Sequence, residues 1–278
     1  MRRTGRVVLV LCFAAAAAPS LAEDGVVLAG ERSSVVSEKR RPVYKDAAEA
    51  LRAGIQTYRA GDARNSVDAF NYAAQGGQTL AQWKLGKMYA AGDGVAADDY
   101  KAYQYFLKIV DGYDEDATPR RELSIISSAF VAVGAYNLTG IGSSLPADPR
   151  RAMSMFQFAA TNFGDPNAQY NLARMYIDGA GVEKDNRQAA RWLRLAAEKG
   201  HAPSQAMLGH LLFTGQEGVP RQRALGLMYL TMARESIGEK PAPADKWIAD
   251  LYAKAIGEAA DNDRQAALAF LESYLKKR

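Results

Sequence analysis

The sequence contains two histidines, His201 and His210, which are the first side chains to consider for metal binding or proton transfer. They lie nine residues apart, a spacing that does not place both on one face of a helix, and the sequence has no H-E-x-x-H pattern. We therefore predict that His201 occupies a turn, that His210 lies on a helix surface, and that neither binds metal. With an ordinary pKa of about 6.5, both are candidates for sensing acid.

A stretch rich in glycine and aspartate, from Gly92 to Asp99, suggests calcium or phosphate binding. Related segments replace the intervening Asp93 with Ala180 or Ile141, so a ligand set is not maintained. The G-x-G pattern also lacks a third glycine and follows a predicted helix rather than a strand. The sequence has neither a Walker A motif nor a G-x-S-x-G motif. It predicts no catalytic residue, no metal and no cofactor.

The N-terminal segment has the composition of an export signal. Arg2, Arg3 and Arg6 precede an apolar stretch over residues 7–18 that is too short to span a bilayer. Ser20-Leu21-Ala22 then fits a signal peptidase site. We predict a cleavable Sec signal peptide over residues 1–22 and a periplasmic protein.

The charge of the whole chain, +4, comes largely from that segment. Without Arg2, Arg3 and Arg6, residues 23–278 hold 32 basic and 31 acidic residues, a balance that does not indicate nucleic-acid binding. Cys12 is the only cysteine, so the remaining chain has no thiol and depends on packing for its stability. No later segment has the apolar length of a membrane span, and we predict no membrane insertion.

Three segments repeat the pattern A-x-x-x-L-G-x-x-Y-x-x-G with one or two substitutions: residues 81–95, 168–182 and 204–219. A weaker copy covers residues 133–142. Apolar residues at i, i+4 and i+8 predict an amphipathic helix, and the glycines predict the turn that ends it. The predicted structural positions of these segments are Leu85, Gly92, Gly94, Leu172, Gly179, Gly181, Leu208 and Gly215.

A second helix is predicted after each of these turns. Asp98, Asp148 and Asp185 precede it and are predicted to cap its N-terminus. An alanine follows four residues after each aspartate, and Trp192 stands seven residues after Asp185, where we expect it to fill the gap between helices. Glycines of the turns recur at intervals of 36 to 48 residues, which is typical of two-helix repeats.

These patterns predict an all-α fold: an α/α superhelical solenoid over residues 44–238 with C-terminal capping helices over residues 239–278. Residues 23–43 lack a helical period and are predicted to be a flexible leader. The first helices of such repeats line a concave surface. Variable positions on these helices give the candidate partner-binding residues Trp83, Lys87, Tyr170, Arg174 and His210. Packing against a neighbouring repeat remains the alternative role for these five side chains.

The repeat unit A-x-x-x-L-G-x-x-Y-x-x-G-x-G-V-x-x-D-x-x-x-A-x-x-W-x-x-x-A-A resembles the Sel-one-like repeat, a relative of the tetratricopeptide repeat. The overall layout, with residues 68–74, 88–95 and 192–201, is similar to the ExoR-type regulators of alphaproteobacteria. This resemblance implies a periplasmic protein that binds the ectodomain of a membrane sensor histidine kinase and inhibits its two-component pathway. It also implies control of exopolysaccharide synthesis, motility and host association, and proteolysis triggered by acid.

Two other functions are considered for the same residues. An envelope scaffold that recruits peptidoglycan or polysaccharide enzymes fits the predicted fold equally. A hydrolase, as described for cysteine-rich relatives, is disfavoured because residues 23–278 contain no cysteine and no recognisable catalytic cluster. We predict a binding protein with a protein partner, not an enzyme, and the sequence does not predict its oligomeric state.

If Trp192 fills the gap between helices, its side chain should contribute strongly to stability. Replacing Trp192 with alanine should leave a cavity between helices and lower the free energy of unfolding by roughly 3–5 kcal/mol. Thermal or urea denaturation measures the change. A melting temperature equal to that of the wild type would mean that the Trp192 side chain is exposed and that the predicted helix register is wrong.

Overall fold

The computed structural model describes residues 44–276. The predicted signal peptide (residues 1–22) and leader (residues 23–43) lie outside the described residues, as do residues 277–278. Regular structure in the described part consists of α-helices, two short 3₁₀ helices and two isolated β-bridges. The prediction of an all-α fold is therefore confirmed.

Twelve α-helices follow one another along residues 44–276: α1 (Ala47–Arg59), α2 (Ala63–Gln75), α3 (Thr79–Ala91), α4 (Asp99–Asp111), α5 (Leu123–Thr139), α6 (Pro149–Asn162), α7 (Pro166–Asp178), α8 (Asn186–Glu198), α9 (Ala202–Thr214), α10 (Arg223–Ser236), α11 (Lys246–Glu258) and α12 (Asp261–Lys276). The 3₁₀ helices Arg120–Glu122 and Pro243–Asp245 directly precede α5 and α11. The chain forms two compact units, one ending at Tyr105 and the other beginning at Phe106. Helices α1–α3 belong to the N-terminal unit, and α5–α12 belong to the C-terminal unit.

The predicted caps of the second helices are present. The carboxylates of Asp98, Asp148 and Asp185 each accept a hydrogen bond from the backbone N–H three residues later, at 2.9 to 3.0 Å. The backbone N–H of each of these aspartates also donates to a carbonyl near the end of the preceding helix, at 2.7 to 3.0 Å. Each aspartate thus ends one turn and begins the next helix, since its carboxylate satisfies an otherwise unpaired N–H.

The predicted loop glycines have backbone conformations that disfavour other residues. All five of them have φ between +70° and +72°: Gly92, Gly94, Gly179, Gly181 and Gly215. At Gly181, an added Cβ atom would lie 2.8 Å from Pro149, the first residue of α6. A glycine at this position therefore allows both the positive φ of the turn after α7 and the close approach to the preceding helix pair.

The leucines of the repeated first helices are core residues. Leu85, Leu172 and Leu208 are all at most 1% exposed. They occupy equivalent positions on α3, α7 and α9. The hydrophobic period read from the sequence therefore identifies the buried side of these helices correctly.

The enclosed side chain of the second helix lies one residue later than the sequence predicted. Trp192 is only partly buried against the core, whereas Leu193 is 0% exposed. The residue eight positions after the cap is enclosed in each second helix, with 0–1% exposure: Phe70, Phe106, Phe156, Leu193 and Leu230. The interpretation of Trp192 as the residue that fills the gap between helices is corrected accordingly.

Two leucines of α8, Leu193 and Leu195, differ in burial and should therefore differ in their contribution to stability. Leu193→Ala removes a fully enclosed side chain and should lower the free energy of unfolding by about 2–5 kcal/mol. Leu195→Ala makes the same chemical change on the same helix, at a side chain that is 44% exposed. It should change the free energy of unfolding by less than about 1 kcal/mol. Urea denaturation of both variants measures the difference, and equal losses would refute the assigned packing.

Candidate partner-binding surfaces

Two of the five candidate residues, Trp83 and Lys87, lie on α3 in the N-terminal unit, and both are partly buried. Beside them, the Nζ atom of Lys84 lies 4.8 Å from the centre of the Tyr58 ring, within the range of a cation–π contact. The Tyr58 hydroxyl donates a 2.6 Å hydrogen bond to Asp93. Asp93, considered above as a cation ligand, is therefore engaged with a side chain of α1.

Three cationic side chains lie near one another in this region: Arg59, Lys84 and Lys87. Burial lowers the pKa of Lys84, and the positive charges of Lys87 and Arg59 lower it further, while Asp93 opposes the shift. Burial is the largest cause of the lowered pKa, and the nearby cations add to it. We call Arg59, Lys84 and Lys87 the basic surface, and its charge suits an acidic region of a partner.

Tyr170 and Arg174 lie on α7 in the C-terminal unit, one helical turn apart. Tyr170 is 3% exposed, and its hydroxyl accepts a 3.4 Å hydrogen bond from the guanidinium of Arg174. Arg174 also forms an ion pair with Asp178 at 3.4 Å. For Tyr170 the structure favours the packing role over direct contact with a partner, and Tyr170 helps to orient Arg174, which is partly exposed.

His201 occupies the turn before α9, at the N-cap position. Its Nδ1 atom is hydrogen-bonded to the Ser204 hydroxyl at 2.8 Å, and its ring meets the Tyr170 ring edge-on at 5.5 Å. Its Nε2 atom is buried and has no hydrogen-bond partner among the described residues. Burial lowers the pKa of His201 to about 4, although the charge of Asp165 opposes the shift. The expectation that His201 titrates near pH 6.5 is therefore wrong.

His210 lies on α9 and borders an open groove of about 630 Å³. Burial and the charge of Lys254 lower the pKa of His210, and Glu258 opposes the shift. We call this cavity the C-terminal groove; it is lined by Ile177, Asn186, Met207, His210, Leu211, Gln216, Trp247, Asp250, Leu251 and Lys254. Of the five candidate residues, only His210 borders it. That these five residues bind a partner remains a prediction.

A recurring hydrogen bond joins successive helix pairs, and it was not predicted from the sequence. The side-chain amides of Gln82, Gln169 and Gln205 donate to backbone carbonyls of the preceding second helix, at 3.1 to 3.4 Å. Each acceptor is the second alanine of the Ala-Ala pair: Ala74, Ala160 and Ala197. The signal was visible, since a glutamine stands one residue after the first position of the motif in all three strong copies.

Residues 44–276 show neither a metal site nor a membrane span. No group of three or more metal-ligating side chains is assembled there. Within the same residues, no helix combines the length and apolar character that crossing a membrane requires.

Comparison with known proteins places these features in a family. The Sel1 repeat family model matches residues 79–112, 129–162, 166–201 and 202–236. A crystal structure of a Sel1 repeat protein from Oxalobacter formigenes superposes with a TM-score of 0.60 at 26% identity, over 84% of this chain and 89% of that protein. The chain belongs to the Sel1 repeat family, and the prediction of a solenoid of Sel-one-like helix pairs is confirmed.

Two curated relatives carry the description "exopolysaccharide production negative regulator". The protein of Rhizobium meliloti (strain 1021) is 32% identical over 77% of each chain. The protein of Rhizobium leguminosarum bv. viciae is 31% identical over 92% of this chain and 91% of its own. The resemblance to ExoR-type regulators of exopolysaccharide synthesis is confirmed.

The environment of His201 predicts how stability changes with pH. Because its folded pKa is below the unfolded value of about 6.5, the unfolded chain binds the proton more tightly, so stability is complete above that value and falls as the pH drops towards 4. At pH 5 the loss from this group should be about 2 kcal/mol. His201→Asn keeps a polar N-cap without the titration and should show a correspondingly smaller loss between pH 7.5 and 5 in urea denaturation. Identical pH dependence in both proteins would contradict the assignment.

Proposed function

We propose that this protein is a negative regulator of exopolysaccharide production that acts by binding another protein. The observation that carries this proposal is the similarity to the Rhizobium leguminosarum regulator, which extends over 91% of that protein. A match of this extent is longer than the segment of repeats alone, which ends at residue 236. The relative's described role is therefore the best guide to the role of this chain.

The proposed partner is the ectodomain of a membrane sensor histidine kinase, and the proposed location is the periplasm. The predicted signal peptide over residues 1–22 supports the location. Binding would keep the kinase inactive, with exopolysaccharide synthesis, motility and host association as the outputs. The basic surface, formed by Arg59, Lys84 and Lys87, offers an electrostatic contact for an acidic region of such an ectodomain.

Binding rather than catalysis is the proposed mode of action. In each repeat the interior is filled by apolar side chains such as Leu172 and Leu193, which hold the helix pairs together. Partly exposed, charged side chains such as Lys87 and Arg174 lie on the first helices and offer a partner electrostatic contacts. Such a surface works by shape and charge complementarity, and it requires no cofactor.

A deletion strain tests the regulatory role and the location. Loss of the gene should raise exopolysaccharide production, because an inhibitor is removed, and the intact gene should restore the parental level. A gene encoding the chain without residues 2–22 is the control for export, and it should fail to restore that level although the protein accumulates. Unchanged exopolysaccharide in the deletion strain would refute the regulatory role.

Crosslinking in intact cells, followed by mass spectrometry of the adducts, tests the partner. A sensor histidine kinase should be recovered with the wild-type protein. Recovery of peptidoglycan or polysaccharide enzymes without a kinase would instead support the envelope scaffold. In that case the proposed inhibition of a kinase would be wrong, while the binding role would remain.

A further inference from the structure

The C-terminal groove lies where the repeats meet the C-terminal helices. Met207, His210 and Leu211 follow the i, i+3, i+4 spacing that places side chains on one face of α9. Trp247, Asp250, Leu251 and Lys254 follow the i, i+3, i+4, i+7 spacing on α11. Helix α11 lies beyond the last repeat that the family model matches, which ends at residue 236. The groove is thus not formed by the repeats alone.

The floor of the groove is apolar. Three branched aliphatic chains, a flexible methionine and an indole line it: Ile177, Leu211, Leu251, Met207 and Trp247. Leu211 is 4% exposed, whereas the other four are partly buried and reachable from solvent. Large apolar side chains that border an open cavity favour an occupant that covers them with apolar surface of its own.

The lining of the groove includes two opposite charges that form no direct ion pair with each other. Asp250 and Lys254 stand one turn apart on α11 and are both exposed, and neither forms an ion pair within residues 44–276. His210 faces Lys254, whose charge lowers the pKa of the imidazole after the larger effect of burial, while Glu258 opposes the shift. The side chains of Asn186 and Gln216 complete the polar part of the lining.

We propose that the C-terminal groove docks a segment of the partner protein that inserts a large apolar side chain, with a carboxylate placed at Lys254 and His210 and a cation placed at Asp250. This inference rests on the proposed function, because it names the surface and the chemistry by which the partner is held. The charges fix the direction of the segment along α11. The apolar floor provides most of the contact area.

The composition of the groove favours a protein segment over an oligosaccharide. A sugar presents hydroxyl groups around its ring and requires many polar partners. Here half of the ten lining residues are large apolar side chains, and the two charged ones, Asp250 and Lys254, are exposed. A protein segment with one apolar side chain between two opposite charges matches both the apolar and the charged residues of the lining.

Site-specific photocrosslinking in intact cells tests the location. The photoreactive residue p-benzoylphenylalanine is placed in the full chain at Leu251 in the groove, at Trp83 beside the basic surface, or at Leu195. Leu195 is 44% exposed on α8 and is the control for accessibility alone. The proposal expects an adduct from position 251 and none from position 195. The crosslinked peptide should contain a large apolar residue between an acidic and a basic residue.

A synthetic peptide with the crosslinked sequence then tests the chemistry. Lys254→Glu and Asp250→Lys should each weaken its binding to the full chain by about tenfold or more, measured by titration calorimetry. Reversing the matching charge in the peptide should restore much of the affinity. Leu195→Ala is the control and should bind like the wild type. Binding should also raise the pKa of His210 in proton NMR spectra, because the peptide carboxylate offsets the charge of Lys254.

The outcomes separate this inference from the proposed function. An adduct with the kinase from position 83 but not from position 251 would overturn the groove as the docking site and leave the proposed function intact. No kinase adduct from either position would count against both. An adduct with a second copy of this chain, or binding of cellohexaose in place of the peptide, would overturn the proposal in favour of self-association or a saccharide site.

Discussion

Close contact between the two helices of a repeat is the constraint on which the rest of the structure depends. Between α9 and α10, a Cβ atom added to Gly226 would lie 2.5 Å from the backbone nitrogen of Phe213 and 2.6 Å from the carbonyl oxygen of Gly209. No side chain fits between these backbones. The equivalent position of the other second helices also holds a small residue: Ser66, Ala102, Ala152 and Ala189, all 0% exposed. The larger residue four positions later is then free to fill the remaining interior.

A helix pair held together in this way is thin, and it cannot cover its own apolar surface. Contacts between pairs therefore carry much of the stability, and they are of several kinds. The amide of Gln205 reaches back to Ala197, and a Cβ atom on Gly181 would touch Pro149 of the preceding pair. Each buried hydrogen bond contributes about 1 kcal/mol, but leaving its partner unpaired costs more. The contacts between helix pairs therefore favour one arrangement of neighbouring pairs as well as stabilising it.

Most of the fold could be predicted from the sequence because the features that define it depend on residues close together in the chain. The aspartate caps and the glycines with positive φ depend on a few neighbouring residues, and both are where the pattern placed them. The identity of the enclosed residue in α8 could not be predicted in the same way. Trp192 and Leu193 are adjacent on the inward side of the helix, and only the neighbouring helices decide that Leu193 is fully enclosed.

The candidate site was less predictable than the fold for the same reason. Tyr170 stands at a variable position of its repeat, yet neighbouring elements bury it. The C-terminal groove depends on Trp247 and Leu251 of α11, which lies outside the repeat pattern and is positioned by tertiary packing alone. Burial also shifted the titration of His201, and no sequence motif encodes that effect.

One repeat lacks the glutamine that elsewhere donates a hydrogen bond to the preceding second helix. At the equivalent position of α5 stands Phe130, whose ring stacks on Phe158 at 4.6 Å and lies within an aromatic cluster with Tyr113 and Phe163. Burial of an aromatic ring has a large heat-capacity change and weakens on cooling, whereas burial of an amide changes the heat capacity in the opposite direction. Because Phe130 makes ring contacts where neighbouring repeats have an amide hydrogen bond, we expect its contact with Phe158 to weaken more on cooling than the glutamine hydrogen bonds do. Among otherwise similar repeats, one is therefore expected to lose stability more readily at low temperature.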